Sequence, residues 1–198
     1  MHILKYAETV YYITVDKKNK KRGIIMNTVN AQRSKTYTLV VDALFIALTY
    51  VATWLINIRL PFMGEGGLIH LGNVPLFIAA MLFGKKTGAI AGAFGMGLFD
   101  LMSGWTAWAP FTFVIVGAMG FVIGLICEKK PFEKMILNDI LAVIAAIAIK
   151  VVGYYFAEVI LTGNWLLPFG SIPGNIIQVG VAGVLALILV PQLRKFVK

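Results

Sequence analysis

The chain is poor in charge, cysteine and histidine. Of its 198 residues, 14% are Asp, Glu, Lys or Arg, one is Cys and two are His. Soluble domains carry about 25% charged residues, so too little ionised side chain is present to cover a water-facing surface. With 59% apolar residues the chain is not disordered either. A lone Cys127 excludes a disulfide-stapled module and reads as an inert buried thiol. His2 and His70 are too few and too far apart to build a metal cluster. Among the charged residues the acidic ones are the scarcer, 9 against 18 Lys+Arg, for a net charge of +9. A mean hydropathy of +0.84 then leaves one class, an integral membrane protein.

Signatures of energy conversion and catalysis are missing as well. Gly84-Lys85-Lys86-Thr87 has the wrong spacing for a phosphate-binding loop, with Lys85 where the second glycine belongs. There is no His-Glu-x-x-His pair and no Gly-x-Ser-x-Gly turn. The sequence therefore predicts a protein that is not an enzyme and binds no metal or cofactor of its own.

What is present is basic charge, and its position explains it. Eight Lys or Arg lie between Lys5 and Lys35, two at Lys85 and Lys86, three at Lys129, Lys130 and Lys134, and three at Arg194, Lys195 and Lys198. Only Arg59 and Lys150 lie elsewhere. Basic loops stay in the cytoplasm, so this clustering is a topology signal and not a nucleic-acid surface. Six apolar stretches fit between the clusters, at about 37–58, 72–84, 87–104, 109–127, 135–160 and 174–193. Helix 2 is short for a crossing, but six crossings put every basic cluster on one side. The predicted fold is all-α, a polytopic membrane protein with six transmembrane helices and both termini cytoplasmic. Residues 1–36 form a polar basic leader, with Met26 the preferred start; 37–194 form the helical domain and 195–198 a cytoplasmic tail.

Polar groups inside a span are costly and mark function. Asp100 lies near the outer end of helix 3. Lys150, Tyr154 and Glu158 follow at i, i+4 and i+8 on helix 5, beginning about 22 Å from its inner end. Asn175 and Gln178 share the first turn of helix 6, and Asn73 opens helix 2 after Glu65 and His70. All converge on the outer third of the membrane and describe a cup open to the outside. Asn73 and Glu65 are equally readable as capping groups at helix ends. Trp105, Trp108 and Trp165 in the outer loops 105–108 and 161–173 are either interfacial anchors or ligand contacts. Glycines at four-residue spacing, Gly84 to Gly97 on helix 3 and Gly117, Gly120 and Gly124 on helix 4, allow backbones to pack closely. Ala43 and Ala47 repeat the small-residue spacing on helix 1.

Several segments together resemble the substrate-binding S component of an energy-coupling factor (ECF) vitamin transporter. They are Gly66-Gly67-Leu68-Ile69-His70-Leu71-Gly72-Asn73, Leu82-Phe83-Gly84, Asp100-Leu101-Met102-Ser103-Gly104, Trp108-Ala109-Pro110-Phe111-Thr112, Tyr155-Phe156-Ala157-Glu158 and Pro173-Gly174-Asn175-Ile176-Ile177-Gln178. The similarity covers about 37–194 and points to the riboflavin-type branch, which includes hydroxymethylpyrimidine and vitamin B6 carriers. It implies capture of a vitamin from outside, a membrane coupling subunit (T component), two cytoplasmic ATPase subunits that hydrolyse ATP, and the bacterial plasma membrane. Ala43 and Ala47 match the family's Ala-x-x-x-Ala docking motif. Relatives often carry Lys and Glu near 116–119, where this chain reads Val116-Gly117-Ala118-Met119. The resemblance then implies Trp105, Trp108 or Trp165 stacking on a flat heteroaromatic ring, with Asp100, Glu158, Asn175, Gln178 and Tyr154 as hydrogen-bonding partners. Lys150 would pair with an acid or a ligand oxygen, and 59–71 would be a lid. Pyridoxine or hydroxymethylpyrimidine is the leading substrate class. The alternatives are riboflavin or another vitamin, a stand-alone secondary carrier, and a membrane anchor for an enzyme.

Overall fold

A computed structural model describes residues 35–55, 57–59 and 68–197. Six helices run through them: α1 (Lys35–Leu55), α2 (Asn73–Phe83), α3 (Lys85–Met102), α4 (Ala109–Lys129), α5 (Met135–Thr162) and α6 (Ile172–Leu193). A two-stranded antiparallel ribbon, β1 (Asn57–Arg59) and β2 (Leu68–His70), joins α1 to α2 with Asn57 opposite His70. A short 3-10 turn at Leu167–Gly170 precedes α6. Glu65, and the leader from residue 1 to 34, lie outside the described residues.

Helix 1 ends at Leu55, short of the expected 58, because the chain turns into the ribbon. Asn57 is a weak helix former, Ile58 is β-branched and Pro61 follows, all of which favour extended backbone. The fold remains helical, with this ribbon as the addition that sequence patterning did not anticipate. Length and composition suit α1, α4, α5 and the segment Leu167–Leu193 to crossing a membrane. The α3 helix has 18 residues with Lys85, Lys86 and Asp100 at its ends, and α2 has only 11.

From Val41 onward the helices form one compact unit. Its centre is apolar, with Leu76, Phe77, Met96, Val116, Met119 and Val179 buried. Positions 116 and 119 thus belong to the core. The α3–α4 pair is the closest approach: a Cβ on Gly92 would sit 2.7 Å from the Val116 carbonyl oxygen, and one on Gly88 would sit 2.8 Å from that of Gly120. The glycine pattern is therefore a backbone-to-backbone seam, and it sets the spacing of Asp100 on α3 from Thr112 on α4. On α1, Ala43 and Ala47 are exposed beside Leu44 and Leu48, whereas Phe45 and Thr49 turn inward.

The end of the bundle that carries the basic clusters holds its own polar contacts. Asp139 is buried on α5 and accepts two hydrogen bonds from Arg194, both 2.7 Å. That contact holds the Arg194 guanidinium above its ordinary range, chiefly through the hydrogen bonds. Cys127 is half-buried and donates weakly to the same carboxylate at 3.6 Å. Lys85 pairs with Glu128 at 2.7 Å, tying the start of α3 to the end of α4.

Candidate functional site

At the opposite end, five elements converge on a cavity of about 50 Å³. The α3 helix stops at Met102, and the Trp105 N–H bonds back to the Asp100 carbonyl at 3.0 Å. The next turn bonds Trp108 N–H to the Trp105 carbonyl at 2.8 Å, and Thr112 N–H to the Trp108 carbonyl at 2.9 Å. This sequence of turns places Asp100, Trp105, Trp108 and Thr112 along one wall. Lys150 and Tyr154, one helical turn apart on α5, form the second wall, and Asn175 and Gln178 from α6 the third. His70, the last residue of β2, completes the lining.

The polar groups are linked. Thr112 Oγ1 and Tyr154 Oη lie 2.9 Å apart and share a hydrogen bond. Thr112 and Asp100 lie beside each other in the lining. Lys150 Nζ sits 5.3 Å from the centroid of the Tyr154 ring, a cation–π contact. Asp100 and Lys150 act on each other through space but make no ion pair within 4.0 Å. Lys150 is only 3% exposed, so this is a buried lysine set against a ring and a distant carboxylate. The Trp108 and Tyr154 rings stand 6.2 Å apart at 32°, a tilted pair.

His70 fastens the ribbon to the helices. Gly72 N–H donates to its Nδ1 at 3.2 Å, and Gln178 Nε2 donates to its carbonyl at 3.3 Å. Burial holds the imidazole well below its usual value of 6.5, and the charge of Lys150 acts in the same direction. The ring is therefore neutral at physiological pH.

Of the residues singled out from sequence, His70, Asp100, Trp105, Trp108, Lys150, Tyr154, Asn175 and Gln178 come together around this cavity. Three do not. Glu158 is buried one turn beyond Tyr154, but it accepts a 2.6 Å hydrogen bond from Ser171 and does not line the pocket. It is not the partner of Lys150. Trp165 is 62% exposed in the α5–α6 connection, where its carbonyl accepts a hydrogen bond from Tyr155 Oη at 2.9 Å. Asn73 is fully buried, and neither amide atom finds a hydrogen-bond partner among the described residues. It makes no side-chain cap and stays behind the lining. Thr112 was missed, because a threonine in an apolar run gives no signal of its own. Among the described residues no three of His, Cys, Asp and Glu gather into a metal site.

Comparison with known proteins agrees with this architecture. Residues 33–195 match the family described as the ECF-type riboflavin transporter, S component. The thiamine precursor transporter HmpT of Lactococcus lactis subsp. cremoris (strain MG1363) is 31% identical over 170 residues, covering 86% of this chain and 94% of that protein. An uncharacterised protein of Pyrococcus woesei is 30% identical over 107 residues, covering 54% of this chain and 69% of its own length. The solved S component of a bacterial ECF transporter superposes with a TM-score of 0.65 at 22% identity, covering 83% of this chain and 99% of that one. The S component for biotin from an ECF-type ABC transporter gives 0.62 at 19%, covering 83% and 92%. These two similarities establish the shared fold. With the family match spanning nearly all the helical region and a relative aligned over almost its full length, the chain is a membrane protein and not an enzyme, and it belongs to the S-component family of ECF transporters.

Proposed function

We propose that this chain captures a small heteroaromatic vitamin precursor of the hydroxymethylpyrimidine or pyridoxine class at the outer face of a bacterial plasma membrane. The observation that carries the reading is the pocket itself: two tryptophans, a carboxylate, a buried lysine and two carboxamides gathered at the end remote from the basic clusters. Apolar pockets with a few placed polar groups are the usual form of small-molecule sites. Trp105 and Trp108 supply flat apolar surface for a ring, and the surrounding polar groups fix its edge. A cavity of about 50 Å³ requires far less widening for one ring than for the three fused rings of riboflavin. HmpT is named as a thiamine precursor transporter, which supports the same size class.

In this reading all six helices cross the bilayer and both termini are cytoplasmic, which sets the basic clusters at the inner face. The chain binds no cofactor. A membrane coupling subunit docks on the Ala43/Ala47 face, and two cytoplasmic ATPase subunits hydrolyse ATP to drive release inward. The test is a titration of the purified chain, followed by tryptophan fluorescence, with hydroxymethylpyrimidine, pyridoxine and riboflavin. Saturable quenching strongest for a one-ring ligand supports the proposal, and quenching strongest for riboflavin, or none from any of the three, refutes it. Riboflavin is the second reading, favoured by the family description.

A further inference from the structure

A second cavity opens at the basic end of the bundle, between the start of α5 and the end of α6. It measures about 430 Å³ and is lined by Met135, Ile136, Asp139, Pro191, Arg194 and Lys195. Met135, Ile136 and Pro191 give it an exposed apolar wall, and Arg194 and Lys195 follow the last residue of α6. Asp139 is buried and committed to Arg194 by two 2.7 Å hydrogen bonds. These bonds fix the guanidinium plane yet use only two of its five N–H donors. Lys195 is exposed and pairs with no carboxylate among the described residues. With Arg194 and Lys195 set against Asp139, the lining carries one surplus positive charge. Glu133, exposed just before α5, is not part of it.

Depth in the membrane selects the occupant. The α5 helix has 28 residues and is about 42 Å long, against a hydrocarbon core of about 30 Å. Shared between its two ends, the excess carries about four residues of the first turn, Met135 to Asn138, to the level of the lipid headgroups. Lys129, Lys130 and Lys134 gather at the same end. An apolar cleft rimmed by cations at this level faces acyl chains on one side and headgroups on the other. A soluble anion there would leave the Met135–Ile136–Pro191 wall uncovered, and a zwitterionic lipid would leave the surplus charge unmatched.

We infer that this cleft binds one anionic phospholipid: the phosphate accepts hydrogen bonds from Lys195 and the outward N–H groups of Arg194, and an acyl chain covers Met135, Ile136 and Pro191. Basic pockets between membrane helices hold anionic headgroups in this way. Arg194 already joins α6 to α5 through Asp139, so a phosphate on its outer side adds a third member to that clasp. The inference uses the chain's place in the membrane and the position of its charges, and it is independent of what the outer pocket holds.

The experiment is native mass spectrometry of the full chain released from nanodiscs of equal phosphatidylglycerol and phosphatidylcholine. One phosphatidylglycerol per chain is expected, retained at least about tenfold over phosphatidylcholine. Lys195→Ala should weaken retention about fivefold and Lys195→Glu about 25-fold. Lys86→Glu makes the same charge change at the same end but outside the cleft, and should stay within about twofold of wild type. Ile136→Trp fills the cleft without touching a charge; it should also lower retention, and serves if the Lys195 variants fail to fold. Equal retention of the two lipids, an equal loss in Lys86→Glu, or displacement by soluble glycerol phosphate overturns the inference. So does a chain that holds no lipid but loses its co-purifying coupling subunit in Lys195→Glu, which assigns the cleft to a protein. Hydroxymethylpyrimidine titrated into the same nanodiscs reads the outer pocket separately, so failure of the lipid site leaves the proposed function standing.

Discussion

The α3–α4 seam offers a quantitative test of how packing sets the pocket. Gly92→Ala would place a methyl carbon 2.7 Å from the Val116 carbonyl oxygen, 2.8 Å from a Leu76 methyl and 3.0 Å from a Val116 methyl. The two side chains can adjust, but the carbonyl belongs to a helix backbone, so the helices must separate by several tenths of an ångström. Overpacking of this kind costs about 1–3 kcal/mol. Replacing a helical glycine returns about 0.5–1 kcal/mol, leaving a net loss of about 1–2 kcal/mol. For a chain of this size that corresponds to a fall in Tm of about 2–8 °C. Gly180 on α6 is the internal control, because a Cβ there meets nothing within 4 Å. Gly180→Ala should raise Tm by about 1–4 °C. Thermal unfolding in detergent, followed by intrinsic fluorescence, measures both. Separation of α3 from α4 also pulls Asp100 away from Thr112, so Gly92→Ala should weaken ligand binding about tenfold while Gly180→Ala leaves it unchanged. Equal stability and equal affinity of the two variants would refute the claim that this seam sets the pocket.

Other expectations concern the lining and its surroundings. Glu158→Gln keeps an acceptor for Ser171 outside the pocket, so affinity should stay within about threefold by the fluorescence titration, whereas Asn175→Ala, in the lining, should cost tenfold or more. Stability should fall in acid through His70. Below pH 6.5 the unfolded chain takes up a proton that the buried folded ring refuses, so stability is intact above that pH and lost beneath it. Between pH 6.5 and 5.5 the loss is about 1 kcal/mol, and a Tm series in which His70→Gln shows the same acid slope as wild type would contradict it. Replacing Ala43 and Ala47 with Trp should spare ligand binding and abolish uptake into cells that contain the coupling module. Undiminished uptake would remove the docking role.

Most of the helical frame was legible because apolar stretches, glycine spacing and basic clusters are strong signals in a membrane chain. The ends of α2 to α6 fall within two residues of expectation, and the residues on α3, α5 and α6 that the pattern singled out for the outer cup largely reach one cavity. The misses have geometric causes. Glu158 follows Lys150 by eight residues, or 2.2 turns, and so lies about 80° around the helix from it; Tyr154, at four residues, stays closer to the lining. Trp165 sits in a connection whose path no periodicity determines, and it is left largely exposed. Thr112 looked like any β-branched residue in an apolar helix, and only its approach to Tyr154 and Asp100 reveals its part. The Asp139–Arg194 pair joins residues 55 apart in sequence, a contact that composition cannot show.

Native mass spectrometry of the chain purified from its membrane tests the central claim most directly. One small heteroaromatic ligand per chain is expected, displaced by added hydroxymethylpyrimidine and reduced in Asn175→Ala. A bound flavin, or a chain that carries no ligand and takes up none of the one-ring candidates, would contradict it.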